Sequence, residues 1–356
     1  MLLRGLRVVL TAALVVLLAA GESSRPGSGP AAATKRTEVV DTTAVAATQT
    51  VRQPRQKRFQ CDGVEHREVK GPGPAYTRKK LVVHRNHKRV CHATWIPKPR
   101  KRFVPQGLAV AGSTAWMTGF LYSEGYGERP CRLLRIDVRT GRQLSRQGIV
   151  GRVGTRPATY CRHGGGVLKR GKWLWIVEKN RLWRVDSTIR SRTIRATRVW
   201  RLESPVRGST VVATSKLLGI VPFQESGRPR IHWFPFRALH REGVLELARR
   251  DKGRKQLGAA VRTRIPTHVQ GATLDSEGDL YLARSNLKCG ELVTPRRRIA
   301  IVPGAEGIDL TSRRLWVASE SGSRPYAEGT RKPLTAGVTA FEWPGLQLAR
   351  RSLCRF

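Results

Sequence analysis

A short motif recurs along the chain from Val104 onward, and it restricts the fold more than any other feature. Pro105-Gln-Gly-Leu-Ala-Val110 is followed by Thr114-Ala-Trp-Met-Thr118, and Gly164-Gly-Gly-Val-Leu168 by Trp173-Leu-Trp-Ile-Val177. Val269-Gln-Gly-Ala-Thr-Leu274 precedes Asp279-Leu-Tyr-Leu-Ala283, and Ala305-Glu-Gly-Ile-Asp-Leu310 precedes Arg314-Leu-Trp-Val-Ala318. A degenerate copy reads Ser209-Thr-Val-Val-Ala213, then Lys216-Leu-Leu-Gly-Ile220. From glycine to aromatic the interval is nine residues in three copies (Gly107 to Trp116, Gly166 to Trp175, Gly307 to Trp316) and ten in a fourth (Gly271 to Tyr281). Each copy reads as two short apolar strands joined by a tight polar turn.

Alternating segments such as Cys131-Arg-Leu-Leu-Arg-Ile-Asp137 and Arg181-Leu-Trp-Arg-Val-Asp186 read as third strands, and Arg139-Thr-Gly-Arg142 as a hairpin turn. Short antiparallel strands that recur in this way describe propeller blades. The expected fold is an all-β propeller of about five blades. A sixth would follow if Leu81-Val-Val83 and Val338-Thr-Ala-Phe-Glu342 formed another. A β-sandwich is the rival architecture, and the regular glycine-to-aromatic interval argues against it.

The N-terminus points to export. Arg4 and Arg7 precede an apolar run from Val8 to Ala20, and Ala19 and Gly21 supply small residues for cleavage. The run falls short of the roughly 20 apolar residues of a membrane span. The expected organisation is a signal peptide over 1–21, a Ser/Thr/Pro/Ala-rich linker over 22–58 and a propeller over 59–356. Between Lys35 and Arg102 stand 18 basic and 5 acidic residues, a stretch read as a solvated basic arm leading to the first strand. Six cysteines suit a secreted chain: Cys61, Cys91, Cys131, Cys161, Cys289 and Cys354. No pair has zinc-knuckle spacing. Cys131 and Cys161, which flank the junction of the first two repeats, are the pair most expected to be bridged.

The net charge of +42 attracts polyanions such as acidic envelope polymers. Much of the excess is arginine spread along the whole chain, which speaks to non-specific attraction. The expected state is a monomer without a transmembrane segment in the mature chain.

The repeat also nominates a site. Gln106, Gly165, Ser209, Gln270 and Glu306 occupy one aligned position, and Val104, His163, Arg207, His268 and Gly304 stand two residues earlier. Strand alternation would send both positions the same way, toward the central channel. Gln106, His163, His268, Gln270 and Glu306 are therefore candidates for one polar cluster, with Glu178 and Glu320, which close their strands nearby. His163, His268 and Glu306 are residue types that could hold a divalent metal or do acid–base work. No cofactor is firmly implied.

The Gln/Glu-Gly element followed by Leu-Trp-Val resembles the exported propellers of the gluconolactonase-like superfamily, over roughly Val104 to the C-terminus. That resemblance implies a channel metal held by a Glu from a Glu-Gly strand start with Asn and Asp partners. Only Glu306 matches, in the last repeat rather than the first, and the Asn and Asp have no counterparts. Two function classes follow: an exported binding or scaffold propeller for an anionic envelope polymer or a small channel ligand, which the sequence favours, and a metal-dependent hydrolase of lactonase or esterase type.

Overall fold

Each repeat copy folds as an antiparallel hairpin, and each hairpin is the inner half of a separate β-sheet. The computed structural model describes residues 61–97, 102–122, 130–294, 297–328, 331–349 and 354–356. The expected signal peptide and the linker over 22–58 lie outside the described residues.

Five sheets follow one another along the chain. From inner to outer strand, the first comprises Phe103–Ala111, Thr114–Leu121, Cys131–Asp137 and Arg142–Gly151, with Thr193–Arg195 added in parallel. The second runs Val167–Arg170, Trp173–Glu178, Arg181–Asp186 and Arg198–Leu202, extended by Glu246–Ala248 and Gln256–Gly258. Thr210–Ala213, Leu217–Val221, Arg230–Pro235 and Val261–Arg264 make the third. Val269–Leu274, Leu280–Asn286, Cys289–Val293, Arg298–Ile301 and Leu348–Ala349 make the fourth. The fifth is Ala305–Thr311, Arg314–Ser319 and Val338–Glu342, and its outer strand is Val90–Thr94 from the beginning of the domain. The fold is an all-β propeller.

The inner strands pack side by side in chain order, and that of the fifth sheet lies against that of the first. Five hydrophobic clusters fill the gaps between neighbouring sheets. The repeated aromatics are what fill them. Trp116 packs between the first and second sheets, Trp175 between the second and third, and Trp316 between the fifth and first. All three are buried. Burying an aromatic side chain contributes about 2–3 kcal/mol, so the nine-residue interval reports a packing requirement.

The glycines of the motif set the diameter of the ring. A Cβ on Gly307 would stand 2.7 Å from the carbonyl carbon of Gly107, and one on Gly166 would stand 2.6 Å from Thr210 Cα. Both distances lie inside van der Waals contact with backbone of the next sheet, and backbone cannot rotate out of the way. Asp309 closes the seam: its Oδ2 accepts from Val110 N at 2.6 Å, joining the fifth inner strand to the first.

Two expectations change. Leu81–Val83 and Val338–Glu342 do not build another sheet: Leu81 makes only an isolated bridge to Leu334, and Val90–Thr94 is the strand that pairs with 338–342. Nor is the basic stretch a solvated arm throughout. Val64, Val69 and Trp95 are buried in the cluster between the fourth and fifth sheets, because they are the apolar residues available there to cover it. Cys61–Cys91 pins this segment to the closing strand. Cys131–Cys161 forms as expected, and Cys289–Cys354 completes the set. Among the described residues no helix is long and apolar enough to cross a membrane.

If ring diameter depends on these glycines, Gly307→Ala should lower stability by about 1–3 kcal/mol through overpacking. Gly243→Ala, where a Cβ meets nothing within 4 Å but the backbone is left-handed, should cost only about 1 kcal/mol. Chemical denaturation of the two variants checks the difference; equal losses would show that inner-strand contact does not limit the ring.

Candidate functional site

The inner strands do not alternate strictly, and the departures fall at the residues the repeat singles out. Pairing with the second strand slips between Pro105 and Gly107, between Val269 and Gly271, and between Ala305 and Ile308. Each slip is a β-bulge, which bends the strand and re-aims the extra residue. Gln106, Gln270 and Glu306 are those residues.

The histidines arrive by another route. His163 has φ 64° and His268 φ 59°, both left-handed, and Gly304 at the aligned position of the fifth sheet has φ 65°. His163 lies outside the strand that begins at Val167, and His268 immediately before the strand that begins at Val269. Period-two alternation is therefore not what orients them; a left-handed turn at the entrance to the strand is. Such a conformation costs a non-glycine residue about 1–3 kcal/mol. At His163 and His268 the chain bears that cost while keeping an imidazole.

Four of the candidates form one hydrogen-bonded chain. His163 Nε2 lies 3.1 Å from Gln106 Oε1, and Gln106 Nε2 donates to Glu320 Oε2 at 3.1 Å. Glu320 is in turn hydrogen-bonded to the carboxyl of Glu306. Glu306 is fully buried, and burial, the charge of Glu320 and that hydrogen bond together raise its carboxyl well above the ordinary value. Burial first, and then the neighbouring Glu320 carboxyl, therefore favour the protonated form of Glu306. His163 is held from its other side by the ring of Phe120, stacked at 4.4 Å.

His268 and Gln270 join this chain through a cavity. Together with Glu320 they line a space of about 720 Å³ bounded also by Phe223, Lys288, Lys332 and Phe356. The His268 ring stacks on Phe356 at 4.6 Å and meets Phe223 edge-on at 5.9 Å. Arg284 covers Phe356 with its guanidinium 4.3 Å from the ring centroid, itself held to Glu291 at 2.7 Å.

Glu178 stands apart from the cavity. It is buried, receives Arg162 N at 2.7 Å and pairs with Arg181 at 2.8 Å, which fixes the turn leading to His163. Burial pushes its carboxyl up against the pull of these donors. His163, His268 and Glu306 do not bring their ligand atoms within 4.8 Å of one another. Among the described residues the three-ligand group of that size is Asp275, Glu277 and Asp279 in an exposed hairpin turn. There Asp275 already accepts the N–H groups of Glu277 and Asp279 and the hydroxyl of Tyr281.

Sequence reasoning missed the aromatic and cationic wall: Phe223, Lys288, Lys332, Arg355 and Phe356. Phe356 reaches the mouth because Cys354 is tied to Cys289, a pairing the sequence leaves open among the 15 connectivities of six cysteines. The partner of Glu306 was legible one at a time, in two strand-end carboxylates, but not as a pair.

No family model and no curated protein matches the chain. Solved structures that resemble it are β-propellers at low identity. The calcium-binding protein regucalcin of Agrobacterium tumefaciens is 14% identical, with 71% of this chain and 94% of that one aligned at a TM-score of 0.36. The PQQ-bound aldose sugar dehydrogenase of Streptomyces coelicolor is 13% identical, covering 70% and 97% at 0.40. BamB of Moraxella catarrhalis is 11% identical, covering 67% and 57% at 0.28. The resemblance to gluconolactonase-like propellers is one of fold.

Proposed function

We propose that this chain is an extracytoplasmic, five-bladed binding propeller that takes an acidic sugar unit at the mouth of its channel. Each of the five sheets is read as one blade, and the three disulfides and the N-terminal apolar run support the address. One observation carries the ligand reading. Glu320 touches the buried Glu306 on one side and the 720 Å³ cavity on the other, so a ligand entering the cavity meets a carboxyl already organised by Glu306 and Gln106. The size falls in the range of small-ligand pockets, about 300–1,000 Å³.

The lining suits a polyhydroxylated anion. Phe223 and Phe356 offer ring faces for a sugar, while Gln270, His268 and Glu320 offer donors and acceptors for hydroxyls. Lys288, Lys332 and Arg355 outnumber Glu225 and Glu320, which favours a carboxylate on the ligand. A single unit of an acidic envelope polymer would satisfy all three. The hydrolase alternative has less support, since its three metal-ligand candidates do not converge.

Calorimetric titration should show oligogalacturonate binding at least tenfold more tightly than a neutral maltooligosaccharide of equal length, with an affinity that falls as salt rises. Phe356→Ala and Gln270→Ala should each weaken it by about tenfold, or roughly 1.4 kcal/mol. Equal binding of the two oligomers, or variants that bind like the parent, would overturn the reading.

The carboxyl pair also predicts a pH dependence. The folded state keeps the Glu306 proton, whereas the unfolded chain releases it near the ordinary value of 4.5. Stability conferred by that proton is therefore lost as pH rises from 4.5 toward the raised folded value. Asp309, raised by burial to about 6, adds a loss of the same sign at lower pH. Glu306→Gln keeps a donor toward Glu320 without a titrating proton. Its stability relative to the parent should rise as pH climbs from 4.5 through the raised folded value, measured by denaturant titration. A constant difference would mean that Glu306 ionises normally.

A further inference from the structure

Trp175, Trp200 and Phe236 pack where the second sheet meets the third, and Trp173 lies against that cluster. Arg170, Arg184 and Arg198 gather there around His240. Arg184 and Arg198 sit directly opposite each other on adjacent antiparallel strands. Like charges in that relation repel, by a few tenths of a kcal/mol up to about 1 kcal/mol. Both side chains are half-buried, which adds desolvation to the repulsion.

No carboxylate relieves this. The Arg184 guanidinium donates to Thr197 Oγ1 at 3.0 Å and lies 2.9 Å from His240 Nδ1. Arg170 donates to the backbone carbonyls of Thr214 and Ser215, and Arg198 to those of Arg241 and Val244. None of the three forms an ion pair among the described residues; the nearby Asp186 is engaged by Thr188 and Lys172, and Glu242 acts on Arg198 only at longer range. The three cations instead lie on aromatic faces: Arg184 is 4.6 Å from Trp173, Arg198 is 5.3 Å from Trp200 and Arg170 is 4.1 Å from Phe236. Their charge also holds His240 below its ordinary pKa, after burial itself.

The result is a triple cation held on aromatic faces, without an ion-paired carboxylate among the described residues. We infer that this arginine cluster is an oxyanion site that takes a phosphoryl group, sharing no residue with the channel-mouth cavity. A doubly charged tetrahedral group offsets most of three positive charges, whereas one carboxylate leaves two unmatched. Guanidinium forks also match phosphate oxygens in geometry. The stacked rings fix the forks beforehand, so less side-chain freedom is lost on binding.

The test titrates the full chain at constant ionic strength with inorganic phosphate, pyrophosphate and long-chain polyphosphate. The variant is Arg184→Met/Arg198→Met, which keeps apolar stems over the tryptophans. The control is Arg152→Met/Arg156→Met, which removes the same charge from an exposed loop without ion pairs. The expected result is a loss of at least tenfold for the Arg184/Arg198 variant against less than twofold for the control, with melting temperatures of both recorded. Should that variant unfold, Arg170→Met with the same probes replaces it. Binding of inorganic phosphate and pyrophosphate would identify a small phosphorylated ligand, and binding of polyphosphate alone a polymeric one; either supports the site. Equal losses in variant and control, or no binding of any probe, would overturn it and assign the basicity to diffuse surface charge.

Discussion

Close approach of the inner strands around the channel axis is the constraint on which the rest of this molecule depends. Where Gly307 meets Gly107, and where Gly166 meets Thr210, backbone touches backbone of the next sheet with no side chain between. That contact sets how far apart the sheets stand at the axis. It therefore also sets the width of the gaps that Trp116, Trp175 and Trp316 must fill further out. The ring is held shut by the strand Val90–Thr94, drawn from the start of the domain to the outer edge of the last sheet.

The same contact builds the site. A strand pressed against its neighbour at a glycine cannot keep regular pairing through the residue before it, and the bulges at Gln106, Gln270 and Glu306 fall at that point. Polar side chains that regular alternation would have distributed are instead turned to one end of the channel. There His163, Gln106, Glu320 and Glu306 become a single hydrogen-bonded chain. Fold and site are thus two consequences of one repeated dipeptide.

This explains what could be read from the sequence. The nine-residue interval from glycine to aromatic carries both the axial contact and the packing, so the propeller and the aligned residues were legible from it. The contribution of strict alternation was misjudged, because bulges and left-handed histidines are local backbone events that leave little trace in residue type. The conditional sixth blade from Leu81–Val83 and Val338–Glu342 does not form, because Val90–Thr94 takes the edge of Val338–Glu342, and short apolar segments of this kind are told apart only by their pairing. Phe356 and the cationic wall could not be placed, because their position depends on the Cys289–Cys354 connection across 65 residues. The guanidinium cluster over Trp173 and Trp200 was hidden for a different reason: in a chain with 67 basic residues, no single arginine stands out.

The central claim is that the channel mouth is organised by a buried Glu306 carboxyl that stays protonated against Glu320. Infrared difference spectroscopy across a pH titration tests it most directly, through the carbonyl stretch of a protonated carboxylic acid. The account predicts one such band that persists to a pH well above the ordinary carboxylate range, disappears in Glu306→Gln, and in Glu320→Gln remains but is lost at a lower pH. A spectrum in which that band vanishes with the bulk of the carboxylates, or persists in Glu306→Gln, would contradict it.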